Sequence, residues 1–175
     1  MSGHSDYWKQ QALAQREAYL ETLQSFLRIN SIEDMSTAGP GKPFGDGVAQ
    51  ALNFMLELGR SDGFAVKNLE GYAGYVEHGE GEEEVGVLVH VDVVTVGEGW
   101  TTPPFEPHIR DGKIYARGAI DNKGPALAAF FALRLLKQSG LPLTNRVRLI
   151  IGTDEESGWL CMKHYAEREV LPEIG

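Results

Sequence analysis

A chain of 175 residues, 42% of them hydrophobic, has the length and composition of one ordinary domain with a real hydrophobic core. Its formal charge of −9 excludes nucleic acid and anionic membrane as main partners, because both are bound through basic surface. Cys161 is the only cysteine, so no intrachain disulfide can form; with no signal-like or bilayer-length apolar run, the expected location is the cytoplasm.

In chain order, Trp8, Ala12, Tyr19, Leu20, Leu23, Phe26 and Leu27 recur at helical spacing after Ser5 and Asp6 as candidate caps, which predicts one amphipathic helix ending near Asn30. A loop rich in glycine and proline, "EDMSTAGPGKPFGDG", leads to a second helix marked by Val48, Ala51, Leu52, Met55 and Leu56 and stopping near Gly59. The period then changes. "FAVKNLE" and "YAGYVEHG" alternate as strands, "EVGVLVHVD" is a near-continuous apolar strand, and "PHIRDGKIYAR" reads as a hairpin turning at Asp111 and Gly112. "NKGPALAAFFALRLLKQSG" follows as a helix with Pro125 in its first turn and Gly140 at its stop. "NRVRLIIGTDEESGW" is a strand running into an acidic loop, and "LCMKHYAERE" is a last helix. Helix, strands, helix, strand, helix is an α/β order, a sheet covered by helices on its faces.

Open α/β sheets bind ligands beyond the carboxyl ends of their strands, and three acidic stations meet that description. In "LVHVDVVTVGEGW" (88–100), His90 and Asp92 stand two apart and share a strand face. Asp121 lies in "ARGAIDNKGP", and Glu155 and Glu156 lie in "LIIGTDEESGW". Carboxylates gathered at one sheet end repel each other unless a cation sits among them. Imidazole plus carboxylates is a donor set for zinc and its neighbours, with Asp92 placed to fix the His90 tautomer. A second ion, bridged to the first by Asp121, would explain so many carboxylates. Of the adjacent glutamates, one can ligate while the other serves as general base for amide hydrolysis.

Each station also has an ordinary reading. A histidine near a strand end is usually structural, Asp121 alone reads as a cap for the helix beginning near Lys123 or Pro125, and Glu155 and Glu156 alone read as the acidic opening of the next helix. Three such stations, each following a strand, are a poor coincidence. Tyr115, Arg117 and Gly118 are hairpin-end residues, although an arginine there would help to offset the carboxylates. Trp100 is expected to anchor its loop and Cys161 to be a small buried hydrophobe; His4, His78, His108 and His164 lack partners at ligand spacing and are expected to be surface or structural. A nucleotide-hydrolysing domain is the rival from another class, since "RVRLIIGTDEE" has the look of a Walker B strand; no GxxxxGK[ST] accompanies it.

"LVHVDVVTVGEGWTTPPFEP", "KIYARGAIDNKGP" and "IIGTDEESGW", in this order and spacing, resemble the N-terminal motifs of the cocatalytic zinc metallopeptidases that include dipeptidases, aminoacylases, carboxypeptidases and desuccinylases. "DNKGP" and "EESGW" place the resemblance nearest the PepV-type dipeptidases, which implies removal of the N-terminal residue from dipeptides, carnosine-like ones included. The resemblance implies a zinc-aminopeptidase-like (phosphorylase/hydrolase-like) α/β fold, a mixed sheet with helices on both faces. It implies two divalent ions, zinc first with cobalt or manganese as alternatives. By resemblance His90, Asp121 (bridging) and Glu156 are metal ligands, Glu155 is the general acid/base, Asp92 orients His90, and the Asp121-Asn122 peptide is cis. Family members continue with a further aspartate ligand, a lid domain and a C-terminal histidine ligand. Residues 1–175 are therefore expected to be the N-terminal portion of a catalytic domain, incomplete at the C-terminus. Such a chain is expected to hold metal weakly and to expose an open sheet edge that favours self-association. An N-acyl amino acid deacylase or desuccinylase of the same family, or a non-catalytic interaction module, remains the alternative.

Overall fold

The structure is a computed structural model that describes residues 2–172. The N-terminal segment forms two helices, α1 (Ser2–Ala14) and α2 (Arg16–Leu27), where the periodicity predicts one. Gln15, at φ −93° and ψ 3°, is the break. The difference between the two halves is burial: Leu23, Phe26 and Leu27 of α2 are in the core, whereas Tyr7 and Leu13 of α1 stand exposed and α1 lies against the later helix α4 (Lys123–Ser139) with no fully buried residue among those described. The next helix, α3 (Asp46–Ser61), buries Val48, Ala51, Leu52, Met55, Leu56 and Gly59 on one stripe.

Strands β1 (Ala65–Leu69), β2 (Ala73–His78), β3 (Glu84–His90) and β6 (Arg146–Gly152) form one sheet in the order β1-β2-β6-β3. The first two pairings are antiparallel and β3 pairs β6 in parallel, so the sheet is mixed. The parallel pair is joined through helix α4 (Lys123–Ser139), the crossover that such pairs require. Strands β4 (His108–Arg110) and β5 (Lys113–Tyr115) make a separate hairpin, and positive φ at Asp111 (52°) and Gly112 (72°) fits the tight turn expected there. Helix α4 ends on Gly140 at φ 65°, the stop read from the sequence.

Alternation along β6 divides the core. Leu149 and Ile151 join Val76, Val89 and the apolar faces of α2, α3 and α4, whereas Ile150 packs with Ala73 and with Tyr165 of the last helix, α5 (Leu160–Ala166). Helices thus cover both faces. Arg148, buried on the α5 side, ties that helix down through the Tyr165 hydroxyl (2.9 Å) and the carboxylates of Glu77 (2.7 Å), Glu84 and Glu169 (both 3.2 Å).

The apolar run of β3 is not buried as its composition suggests. With β6 as its only partner among the described residues, β3 stands at the edge of the sheet, and Val85, Val87 and Leu88 are exposed. A cavity of about 330 Å³ opens beside it, between Val87, Val147, Leu149 and the α4 residues Ala129, Ala132 and Leu136.

The bend that delivers Asp121 depends on close backbone approach. A Cβ at Gly124 would lie 2.1 Å from the Ala119 carbonyl oxygen, and the Gly124 carbonyl accepts the Tyr19 hydroxyl at 3.1 Å. Gly124→Ala is therefore expected to cost about 3 kcal/mol, lowering Tm by roughly 10 °C in a thermal melt followed by circular dichroism.

Candidate metal centre

The parallel register sets His90 opposite Gly152, and Val91 N–H donates to the Gly152 carbonyl one step beyond the ladder. The loops that follow β3 and β6 therefore leave the same end of the sheet, side by side. His90 closes β3, Asp92 follows it outside the strand, Asp121 precedes α4, and Glu155 and Glu156 follow β6. The three stations read from the sequence converge there.

Asp92 is buried and holds two of them. One of its carboxylate oxygens and its main-chain carbonyl each lie 3.2 Å from His90 Nδ1, and its second carboxylate oxygen accepts the Glu156 N–H at 3.0 Å. An acceptor at Nδ1 keeps a proton on that nitrogen and turns Nε2 toward the carboxylates. His90 Nε2 is 3.1 Å from Asp121 Oδ1 and 3.8 Å from Glu155 Oε2. Asn122 Oδ1 accepts the His90 main-chain N–H at 3.4 Å, and the Asp121-Asn122 peptide is cis.

Burial opposes a charge on His90, but the hydrogen bond and charge of Asp92, then Asp121 and Glu155, lift its pKa from 6.5 to about 9. Burial also raises the pKa of Glu156, and the Asp121 charge adds to the rise. A histidine that keeps its proton at neutral pH because carboxylates surround it is one where a cation can take the proton's place. One donor atom each from His90, Asp121 and Glu156 lies within 4.8 Å of the others, close enough for small side-chain rotations to bring them onto a single ion.

The ordinary readings of Asp121, Glu155 and Glu156 as helix caps or openings do not hold. Helix α4 has Asn122, not Asp121, at its N-cap, without a side-chain capping bond; α5 has no acidic residue in its first turn. Arg117 makes no ion pair with the cluster: its guanidinium donates to the Thr95 and Val96 carbonyls and lies 5.5 Å from the Trp100 ring. Trp100 anchors that loop through Nε1 to Val96 O at 2.6 Å, as expected. Cys161 is buried, its thiol pushed up to about 12 by burial with help from the Asp154 carboxylate. His78 packs against Phe64, His108 is exposed on β4, and His164 stacks on Tyr72; the His4 side chain lies outside the described residues.

Two supporting residues are absent from the sequence reading. Lys123 is fully buried, its ammonium donating to Ile29 O at 2.6 Å and Phe26 O at 3.4 Å, and burial pushes its pKa down to about 7. It fastens the start of α4, and with it Asp121, to the end of α2. Asp154 is the other, buried beside the two glutamates. Its sequence neighbours drew attention to themselves as candidate ligands and it did not.

Because Asp92 orients both His90 and the Glu156 backbone, Asp92→Asn is expected to weaken divalent-metal binding by about 10–100-fold with little change in circular dichroism, as isothermal titration would measure.

Residues 86–174 match the sequence profile of Peptidase family M20/M25/M40. The chain belongs to this family. A Bacillus subtilis (strain 168) relative named "Putative dipeptidase YtjP" is 55% identical over 96% of the chain and 36% of its own length. Human carnosine dipeptidase 1 shares the fold, with a TM-score of 0.74 at 24% identity over 91% of this chain and 36% of that one. An M20 family metallo-carboxypeptidase of Sulfolobus solfataricus superposes with a TM-score of 0.64 at 30% identity, covering 79% of this chain and 31% of that one. The chain thus spans about a third of the length of these relatives. Membership in Peptidase family M20/M25/M40 implies a divalent metal, and the donors gathered at His90, Asp121 and Glu156 fit one.

Proposed function

We propose that this chain is the N-terminal portion of the catalytic domain of a cytoplasmic, zinc-dependent dipeptidase. The lid and the rest of that domain would lie in polypeptide of the kind that makes up the remaining length of its relatives. The observation that carries the reading is the meeting of His90, Asp121 and Glu156 at one sheet end, with Glu155 beside them and outside the donor set. The names of the Bacillus subtilis and human proteins support a dipeptide as substrate.

In this reading His90, Asp121 and Glu156 would hold the metal, with Asp121 the ligand that would serve both expected ions. Bound there, divalent metal supplies positive charge that polarises the attacking water and the scissile carbonyl. Asp92 keeps the Nδ1 proton on His90 and so keeps Nε2 directed at the site. Glu155 accepts the proton from water at a carboxylate oxygen as the new C–O bond forms, then delivers it to the amine nitrogen as the C–N bond breaks.

The test is to strip a family-length enzyme carrying this segment with chelator, restore zinc, cobalt or manganese, and assay dipeptides beside N-acyl amino acids. Loss and recovery of dipeptide turnover is expected. Turnover indifferent to stripping would end the metal mechanism, and preference for N-acyl amino acids would make the enzyme a deacylase.

A further inference from the structure

The loop that carries Glu155 and Glu156 has no helix or strand, yet most backbone amides of residues 155–161 are spoken for. The Glu156 N–H goes to Asp92. The Ser157 and Trp159 N–H groups donate to the main-chain carbonyl of Asp154, at 3.4 and 3.0 Å. The Leu160 and Cys161 N–H groups donate to the two carboxylate oxygens of Asp154, at 2.9 and 2.8 Å. Asp154 itself is 1% exposed.

This is an unusual way to begin a helix. A capping side chain normally comes from the residue directly before the first turn. Here that residue is Trp159, in the left-handed region at φ 55°, with no side-chain capping bond. The cap comes instead from Asp154, on the far side of both glutamates. Gly158 permits the closure, since a Cβ there would lie 3.3 Å from Asp154 Oδ2. The segment 154–161 is therefore a ring fastened by one carboxylate, and Asp92 and Asp154 hold the Glu155 and Glu156 segment from its two sides.

We infer that Asp154 is a positioning residue of the metal centre, one that fixes Glu155 and Glu156 by clasping the loop to the start of α5. The inference rests on the reading of that loop as part of a metal site. Loss of the clasp leaves the buried Cys161 amide and the part-buried Leu160 amide without acceptors, so the loop must open to water and carry the glutamates with it.

The experiment compares Asp154→Ala, Asp154→Asn and Tyr165→Phe in the 175-residue chain. Tyr165→Phe removes a buried hydroxyl that bonds Arg148 and serves as a destabilised control on the same helix. Amide hydrogen exchange is read for residues 155–161, and affinity for cobalt(II) is read by titration. Asp154→Ala is expected to lose protection across the loop and about 10–100-fold in cobalt affinity. Asp154→Asn, with one acceptor oxygen left, is expected to fall between Asp154→Ala and the unsubstituted chain; it also decides the matter should Asp154→Ala fail to fold. Tyr165→Phe is expected to lower Tm while leaving cobalt affinity and loop protection unchanged. Unchanged exchange at Glu155 and Glu156 in both Asp154 variants, or an equal loss of affinity in Tyr165→Phe, overturns the inference. If a family-length enzyme carrying this segment binds no cobalt, the metal-site reading fails, and loop exchange still decides whether Asp154 is the clasp.

Discussion

Glu155→Gln is expected to lower kcat for dipeptide hydrolysis by about 10²–10⁴-fold in a family-length enzyme while leaving its metal content unchanged. The asymmetry comes from where the two adjacent glutamates sit. Glu156 has its backbone pinned by Asp92 and supplies a donor atom to the His90 and Asp121 group. Glu155 lies outside that group, its side chain 40% exposed and its nearer oxygen 3.8 Å from His90 Nε2. It can accept a proton from water without releasing a metal. Glutamine keeps the shape and removes the basic oxygen, so binding survives and proton transfer does not. Glu156→Gln is expected to do the reverse, losing metal first and activity as a consequence. Metal analysis by atomic absorption beside steady-state kinetics separates the two; loss of metal with turnover intact in Glu155→Gln would exchange the roles.

How much of this was legible in the sequence depended on whether a residue's partners were local. His90 and Asp92 announced themselves by strand-face spacing, although β3 ends at His90, and Glu155 and Glu156 by following an apolar strand; Asp121 was read the same way but follows the short hairpin strand β5 and a turn. Asp154 sits in the same "TDEE" but acts on amides six and seven residues ahead, beyond the spacing that marks a cap. Lys123 bonds carbonyls 94 and 97 positions away, which no local pattern reports. The apolar run of β3 suggested burial, but composition does not say whether a strand has one neighbour or two, and among the described residues this one has one. The break at Gln15 was hidden for a related reason: the apolar spacing continues across it, but the second half of the stripe enters the central core and the first half lies against α4 at the surface.

The affinity of the chain for zinc or cobalt is expected to climb about tenfold per pH unit from pH 7 toward pH 9 and then to level off. Without metal, His90 is protonated up to about 9, because Asp92, Asp121 and Glu155 outweigh the opposing effect of burial. A metal at Nε2 must displace that proton, so titrations at pH 7 in buffers of different ionisation enthalpy should report release of about one proton per ion bound. Stability of the metal-free chain follows the opposite course. A folded-state pKa raised above the ordinary 6.5 contributes stability that is complete below 6.5 and lost as pH rises through about 9. Metal should therefore raise Tm more at pH 9 than at pH 7. Lys123 makes Tm alone a poor gauge, since its pKa, lowered from 10.5 to about 7, favours the folded state increasingly as pH rises across that interval. Proton release on metal binding isolates the histidine. His90→Gln is expected to bind metal weakly and with a much flatter pH slope, and a slope unchanged by that substitution would mean that the displaced proton belongs to another group.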